Sequence, residues 1–237
     1  IRDSKCYDLG DPPATPRRST AGSGRSTTPP RELPPHAYSL AELAYGNSSM
    51  QDAIIDGGGV PPLTLRTGAQ MPAVGLGCWK IPRDATGDTV LRAIALGYRH
   101  LDCACDYGNE AEVGQGIKKA IADGLVASRK ELFITSKLWN TYHRPEHVRA
   151  ACERTLKDLC LSELDLYLIH FPIALQYVHF DTRYPPEWIA NPDAENPVMV
   201  PDPVPLSETW GAMEELVRAG LVKEIGVCNY NTGLLHD

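Results

Sequence analysis

The sequence predicts an α/β protein on the plan of a (β/α)8 TIM barrel, incomplete in this chain, and three observations carry that expectation. From Leu63 onward, short apolar runs alternate with amphipathic stretches of helical period, the pattern of βα units around a parallel sheet. Two of the runs, 132–137 and 165–170, finish on a titratable side chain. Asp102, Tyr107, Lys137 and His170 fall where successive strands are expected to end. Barrels of parallel strands carry their chemistry at that C-terminal rim.

The elements follow in order. Residues 1–60 are different material: Pro, Ser, Thr, Arg and Gly cluster at 11–18 and 26–30. Such a composition buries too little apolar surface to offset its ordering entropy, so this extension is expected to be disordered. Within it, 39–44 suits one helical turn. Asn47-Ser48-Ser49 matches a glycosylation sequon, read as a chance match without a secretory signal. The folded part is expected over 61–237. Residues 63–66 and 73–76 flank Thr67-Gly68-Ala69-Gln70, a hairpin signal. Helix 87–96, strand 99–102, helix 110–123, strand 132–137, helix 145–159 and strand 165–170 come next. A helix over 207–219, with Ser207 as N-cap and Gly220 at its end, leads into strand 225–227. The Pro-rich insertion at 171–206 is long for a structureless loop, and such loops are usually functional, so it is expected to form a lid or wall over the rim. A closed barrel needs eight strands and about 250 residues. The units here amount to a hairpin, about five barrel-type strands and four helices. The barrel is therefore expected not to close within this sequence, and a start at Ile1 rather than Met suggests part of a longer product.

Composition narrows the function classes. The 237 residues are 43% hydrophobic, which suits a globular core. No run approaches the roughly 18 apolar residues of a membrane helix. A net charge of -7 argues against a nucleic-acid partner, which needs a clustered basic face. Cys6, Cys78, Cys103, Cys105, Cys152, Cys160 and Cys228 form no zinc-like C-x-x-C pair. With no signal peptide, they read as reduced thiols of a cytoplasmic protein, mostly filling the core.

Tyr107 is the candidate general acid. A phenol of ordinary pKa about 10 donates poorly at neutral pH unless a cation stabilises the phenolate. Lys137 supplies such a cation, and Asp102 would hold and balance Lys137. Taken singly, each has a structural reading: a surface aromatic, a snorkelling strand-end lysine, a helix cap. As a set on adjacent strand ends they point to chemistry. His170 is either a satisfied structural histidine or a neutral imidazole aimed at the same substrate oxygen; its place on the strand after Lys137 favours the second. His143 and His147 have i, i+4 spacing but straddle Arg144-Pro145 and lack a third ligand, so no metal site is expected. Gly75-Leu76-Gly77 lacks the rest of a dinucleotide fingerprint and reads as a tight turn. Trp79, Trp139 and Phe171, each just past a strand, are either core or the walls of an apolar substrate pocket.

These segments resemble the aldo-keto reductase superfamily. Gly97-Tyr98-Arg99-His100-Leu101-Asp102 through Tyr107, Asn109-Glu110 and Gly114 looks like its first signature. Ser136-Lys137-Leu138-Trp139-Asn140 and Ile169-His170-Phe171-Pro172 resemble later ones. The resemblance runs from about Leu63 to Asp237, and within the superfamily it is nearest to the aldose reductase and D-xylose reductase group. Asp106-Tyr107-Gly108-Asn109-Glu110, His170-Phe171-Pro172-Ile173-Ala174 and Tyr184-Pro185-Pro186 look more like xylose reductases.

The resemblance implies reduction of an aldehyde, in particular an aldose such as xylose, by NADPH, with NADH as a possible substitute. Tyr107 would give the proton, His170 orient the carbonyl oxygen, and the Lys137–Asp102 pair tune Tyr107. Asp102, Trp79, Lys80, Asn229 and Cys228 are implied at the cofactor. Cys228 stands where the family more often has Ser, and a thiol is the weaker donor, so Asn229 ranks first. Asp106, Trp79, Trp139, His170 and Phe171 are implied at the substrate. Groups that clamp the cofactor phosphates come, in the family, from later strands than those counted here. The competing expectation is a truncated, noncatalytic fragment acting as a binding protein.

Overall fold

The computed structural model describes residues 60–236. Apart from Val60, the extension expected to be disordered lies outside the described residues, as do the helical turn at 39–44 and the sequon at 47–49.

The hairpin is shorter than its sequence signal. Strand β1 (Leu63–Thr64) pairs antiparallel with β2 (Gln70–Met71), Leu63 opposite Met71. The turn closes within 65–69 through Leu65 N–H to the Ala69 carbonyl at 2.8 Å. Gln70 therefore already pairs, and Pro72, having no N–H, stops the ladder. The expected return strand at 73–76 is thereby corrected. Leu76–Gly77 is instead β3, the first strand of the parallel sheet.

Helix α1 (Arg83–Ala95) starts earlier than expected because Pro82, at φ -56, turns the chain into it. Strand β4 (His100–Asp102) leads to a single 3-10 turn, Cys105–Tyr107, and then helix α2 (Glu110–Ala122). Strand β5 (Phe133–Leu138) is followed by a short turn, Asn140–Tyr142, and helix α3 (Pro145–Leu159), with Pro145 in its first turn. Strand β6 (Leu164–Ile169), helix α4 (Leu206–Arg218) and strand β7 (Val222–Val227) complete the order. Ser207 is not the N-cap: the cap position falls on Pro205, without a side-chain cap bond, and Ser207 lies inside the helix. Strand β7 begins at Val222, before the expected 225.

Among the described residues, five parallel strands stand in the order β3-β4-β5-β6-β7, joined by four helices. This is the barrel plan of consecutive βα units. Side chains alternate along each strand. One face carries Leu101, Ile134, Leu138, Tyr167 and Ile169 into a core with Val90, Ile94, Val113, Ile117, Val148 and Leu156 from the helices. The other face carries His100, Asp102, Thr135 and Lys137; His100 Nε2 meets Thr135 Oγ1 at 2.9 Å across β4 and β5. Strand β5, in the middle, is buried along its whole length. The cysteines of the described residues form no disulfide, and Cys78, Cys103, Cys105 and Cys152 are buried. Among those residues no helix is long and apolar enough to cross a membrane.

Candidate active site

The strand ends bring Asp102, Tyr107 and Lys137 together. Lys137 leaves the end of β5 and donates from Nζ to Asp102 Oδ1 at 2.6 Å, to the Cys103 carbonyl at 2.9 Å and to Tyr107 Oη at 3.1 Å. All three bonds of the ammonium are thereby used. The Lys137 side chain is 4% exposed and that of Asp102 41%, so the pair runs from the interior to the open rim. Burial works against the Lys137 charge, but the Asp102 carboxylate and the Tyr107 oxygen outweigh it, and the ammonium is held above its ordinary range. For Tyr107 the balance goes the other way from the simplest expectation. Burial raises the phenol above 10, and Lys137 pulls it down only in part. The resting state is a neutral phenol touching a cation.

Tyr107 ends its 3-10 turn, and Gly108 follows at φ +72, a conformation that side chains disfavour. A Cβ on Gly108 would sit 3.1 Å from Pro185. The turn that presents the phenol is thus pressed against the insertion.

His170 follows β6, its N–H bonded to the Leu138 carbonyl at 3.0 Å, and is buried. Its ring is boxed by Tyr107, Trp139 and Phe171, with centroids at 5.9, 5.4 and 4.6 Å. Asp106 Oδ1 comes to 3.1 Å from His170 Nδ1, within ion-pair reach but outside hydrogen-bonding angles, and both atoms are buried without a hydrogen-bond partner. Asp106, expected at the substrate, thus also faces the imidazole. Asn229, left-handed at φ +61, donates from Nδ2 to the His170 carbonyl at 2.8 Å and to Cys228 Sγ at 3.3 Å. Trp79 is 62% exposed, and Lys80 Nζ lies 4.4 Å from its ring centroid. Neither shares a hydrogen bond or ring contact with the central group. Of the rejected metal pair, His143 is buried and His147 stacks on Tyr177 at 3.7 Å.

Three contributors were missed in the sequence. Trp188, in the insertion, packs edge-on against Trp139 at 4.9 Å and Phe171 at 5.0 Å. The Cys103 carbonyl is a third acceptor for Lys137, which no side-chain motif encodes. Glu110 is buried under β5, accepting from Ser136 Oγ at 2.6 Å and Thr155 Oγ1 at 3.1 Å. Burial pushes its carboxyl up to about 8 against the pull of both hydroxyls. The signal for Trp188 was available: an aromatic after Tyr184-Pro185-Pro186, in an insertion already expected to wall the rim.

The sequence model described as the aldo/keto reductase family matches residues 70–237. The chain is 51% identical over 176 residues to the NADPH-dependent aldose reductase GRE3 of Saccharomyces cerevisiae, covering 74% of this chain and 54% of that protein. It is 52% identical over 174 residues to the NAD(P)H-dependent D-xylose reductase of Pachysolen tannophilus, covering 73% and 53%. Among solved structures, the aldose reductase of Schistosoma japonicum superposes with a TM-score of 0.67 at 45% identity, covering 75% of this chain and 56% of that one. The chain spans about half the length of the curated relatives it matches.

Proposed function

Because this chain belongs to the aldo/keto reductase family, we propose that the protein reduces aldehydes, among them aldoses such as xylose, to alcohols at the expense of NADPH or NADH. The observation that carries this reading is the Lys137 ammonium bonded at once to Asp102 and to the Tyr107 hydroxyl. The reduced nicotinamide, when bound, supplies a hydride to the carbonyl carbon. Tyr107 gives its proton to the oxygen as negative charge builds there, and the phenolate left behind sits beside Lys137. Asp102 keeps that ammonium in place. His170, with Nδ1 beside Asp106, leaves Nε2 to orient the carbonyl oxygen. Such preplaced groups stabilise the transition state more than the ground state.

The residues present suit the nicotinamide. The half-exposed carboxylate of Asp102 keeps an accessible oxygen for a cofactor hydroxyl, and Asn229 is tied to the strand end that carries His170. Trp79 offers an open aromatic face beside Lys80, and Cys228 lies next to Asn229. Asp106, Trp139 and Phe171 line the substrate side. A noncatalytic binding role is not favoured by an intact Asp–Lys–Tyr chain of bonds. The test is NADPH oxidation in the presence of xylose or benzaldehyde. Tyr107→Phe keeps the ring but removes the proton, and turnover should drop about a hundredfold or more, the scale of general acid catalysis. Cofactor affinity should hold. Near-normal turnover in that variant would remove Tyr107 from its role.

A further inference from the structure

We propose that Arg183 is the positioning residue of a preformed substrate wall, segment 183–190, and that it sets the affinity of the site for aldehydes carrying an aryl or other bulky apolar group. The proposal rests on the reduction reading above and deepens it. Arg183 Nη1 donates to the carbonyls of both Ile189 and Ala190, at 2.7 and 2.8 Å. One cation thereby folds the segment back on itself. Bonds from an ionised donor are the stronger kind, and two on one atom fix a carbonyl pair in place.

Between the ends of this clasp lie the groups that meet the site. Tyr184 is anchored away from it, its ring 3.8 Å from the Arg154 guanidinium. Pro185 presses on Gly108, next to the phenol. The Glu187 carbonyl accepts from Trp139 Nε1 at 3.3 Å. Trp188 then lays its ring edge-on against Trp139 and Phe171 and remains 37% exposed. Its open side borders a cleft of about 310 Å³ shared with Asp106, Trp139 and Ile189. An aryl group entering that cleft would find a further edge-to-face partner.

Segment 183–190 contains no helix or strand, so no backbone ladder holds Trp188 in place. The Arg183 clasp supplies that order in advance. Without it, the substrate has to order the wall on binding, and the affinity falls by that cost. Lys137 stands on β5 and Tyr107 on the turn at 105–107, which Pro185 backs; Arg154 on Tyr184 holds that proline without the Arg183 bonds. The effect therefore belongs in KM, confined to substrates long enough to reach the wall.

Arg183→Ala in the intact protein should raise KM for benzaldehyde about tenfold, the equilibrium ratio for one lost hydrogen bond to a charged group. KM for propanal, and kcat for both substrates, should stay within about twofold. If Arg183 acts through Trp188, the double variant Arg183→Ala/Trp188→Ala should bind benzaldehyde no worse than Trp188→Ala alone. Backbone NMR order parameters across 187–190 should fall in Arg183→Ala while those of α3 stay unchanged. Equal KM rises for both aldehydes, additive losses in the double variant, or unchanged order parameters each overturn the proposal. A wild-type protein that reduces no aldehyde overturns the reduction reading instead. In that case the order parameters still decide whether Arg183 holds the segment.

Discussion

Tyr107 shows how one side chain records two opposed environments. Burial raises its pKa and Lys137 lowers it, with burial ahead. Reduction needs the protonated phenol, and a raised pKa keeps that form present further into alkali. The kcat/KM profile for an aldehyde should therefore stay level through neutrality and fall only above about pH 10. A profile already falling near pH 8 would contradict the donor assignment. Lys137→Met removes the opposing cation, so the fall should move to still higher pH while turnover drops. Glu110 titrates at the other end of the scale. Its folded carboxyl is raised to about 8, so the folded state binds a proton that the unfolded chain releases near pH 4.3 or so. Stability is then greatest below the unfolded pKa, declines as pH rises toward 8, and levels off above it. Glu110→Gln should flatten that slope in urea titrations run from about pH 5 to 9, gaining on the wild type by ~2 kcal/mol or more at the alkaline end. Lys137 and His170 stood out in the sequence because each finishes an apolar run, and Asp102 and Tyr107 because they fall at and just past the end of the preceding strand. The burial of Glu110 was not, because its surroundings are made by α3 and β5, which reach it only in the fold.

At the scale of elements, helix spacing is set by small residues. A Cβ on Gly114 of α2 would stand 2.4 Å from the Leu159 carbonyl at the end of α3, so these helices approach through backbone. Gly114→Ala must push them apart, and overpacking of this kind costs about 1–3 kcal/mol. Thermal unfolding should register the loss, and an unchanged midpoint would mean that α3 gives way freely. The strands and helices were readable from period and composition wherever a run was long: β5, β6, α2 and α3 lie within a residue or two of expectation. Three of the misses share a cause. The second hairpin strand, the start of α1 and the cap of α4 were placed by side-chain preference, whereas Pro72, Pro82 and Pro205 act through a missing N–H or a fixed φ. Backbone restraint overrode the side-chain signal at all three.

Across the whole molecule, the two ends of the sheet have different work. At the ends opposite the tetrad, Asp165 accepts from Arg129 at 2.7 Å, from the Ile134 N–H at 2.8 Å and from Lys223 at 2.9 Å. One carboxylate thus ties β5, β6 and β7 together; nearby, Thr67 of the hairpin bonds Glu224 of β7. Asp165→Ala strands a largely buried guanidinium and an N–H, and should cost about 2–4 kcal/mol in denaturant unfolding. Turnover per folded molecule should be unchanged, since barrels keep stability at one rim and chemistry at the other. The barrel plan itself was legible from alternating units. The shape of the 171–206 insertion was not: it has no period, and its form comes from individual contacts such as Arg154 on Tyr184 and Trp188 on Trp139.

The contact between Gly108 and Pro185 limits how this scaffold can be re-engineered. Any side chain at 108 would meet both an unfavourable backbone angle and the proline ring. A graft that replaces the 183–190 loop while keeping the native turn at 105–108 moves the neighbour against which the phenol is aligned. Loop and turn therefore form a single cassette, and a graft that discards Pro185 has to bring its own turn at 105–108.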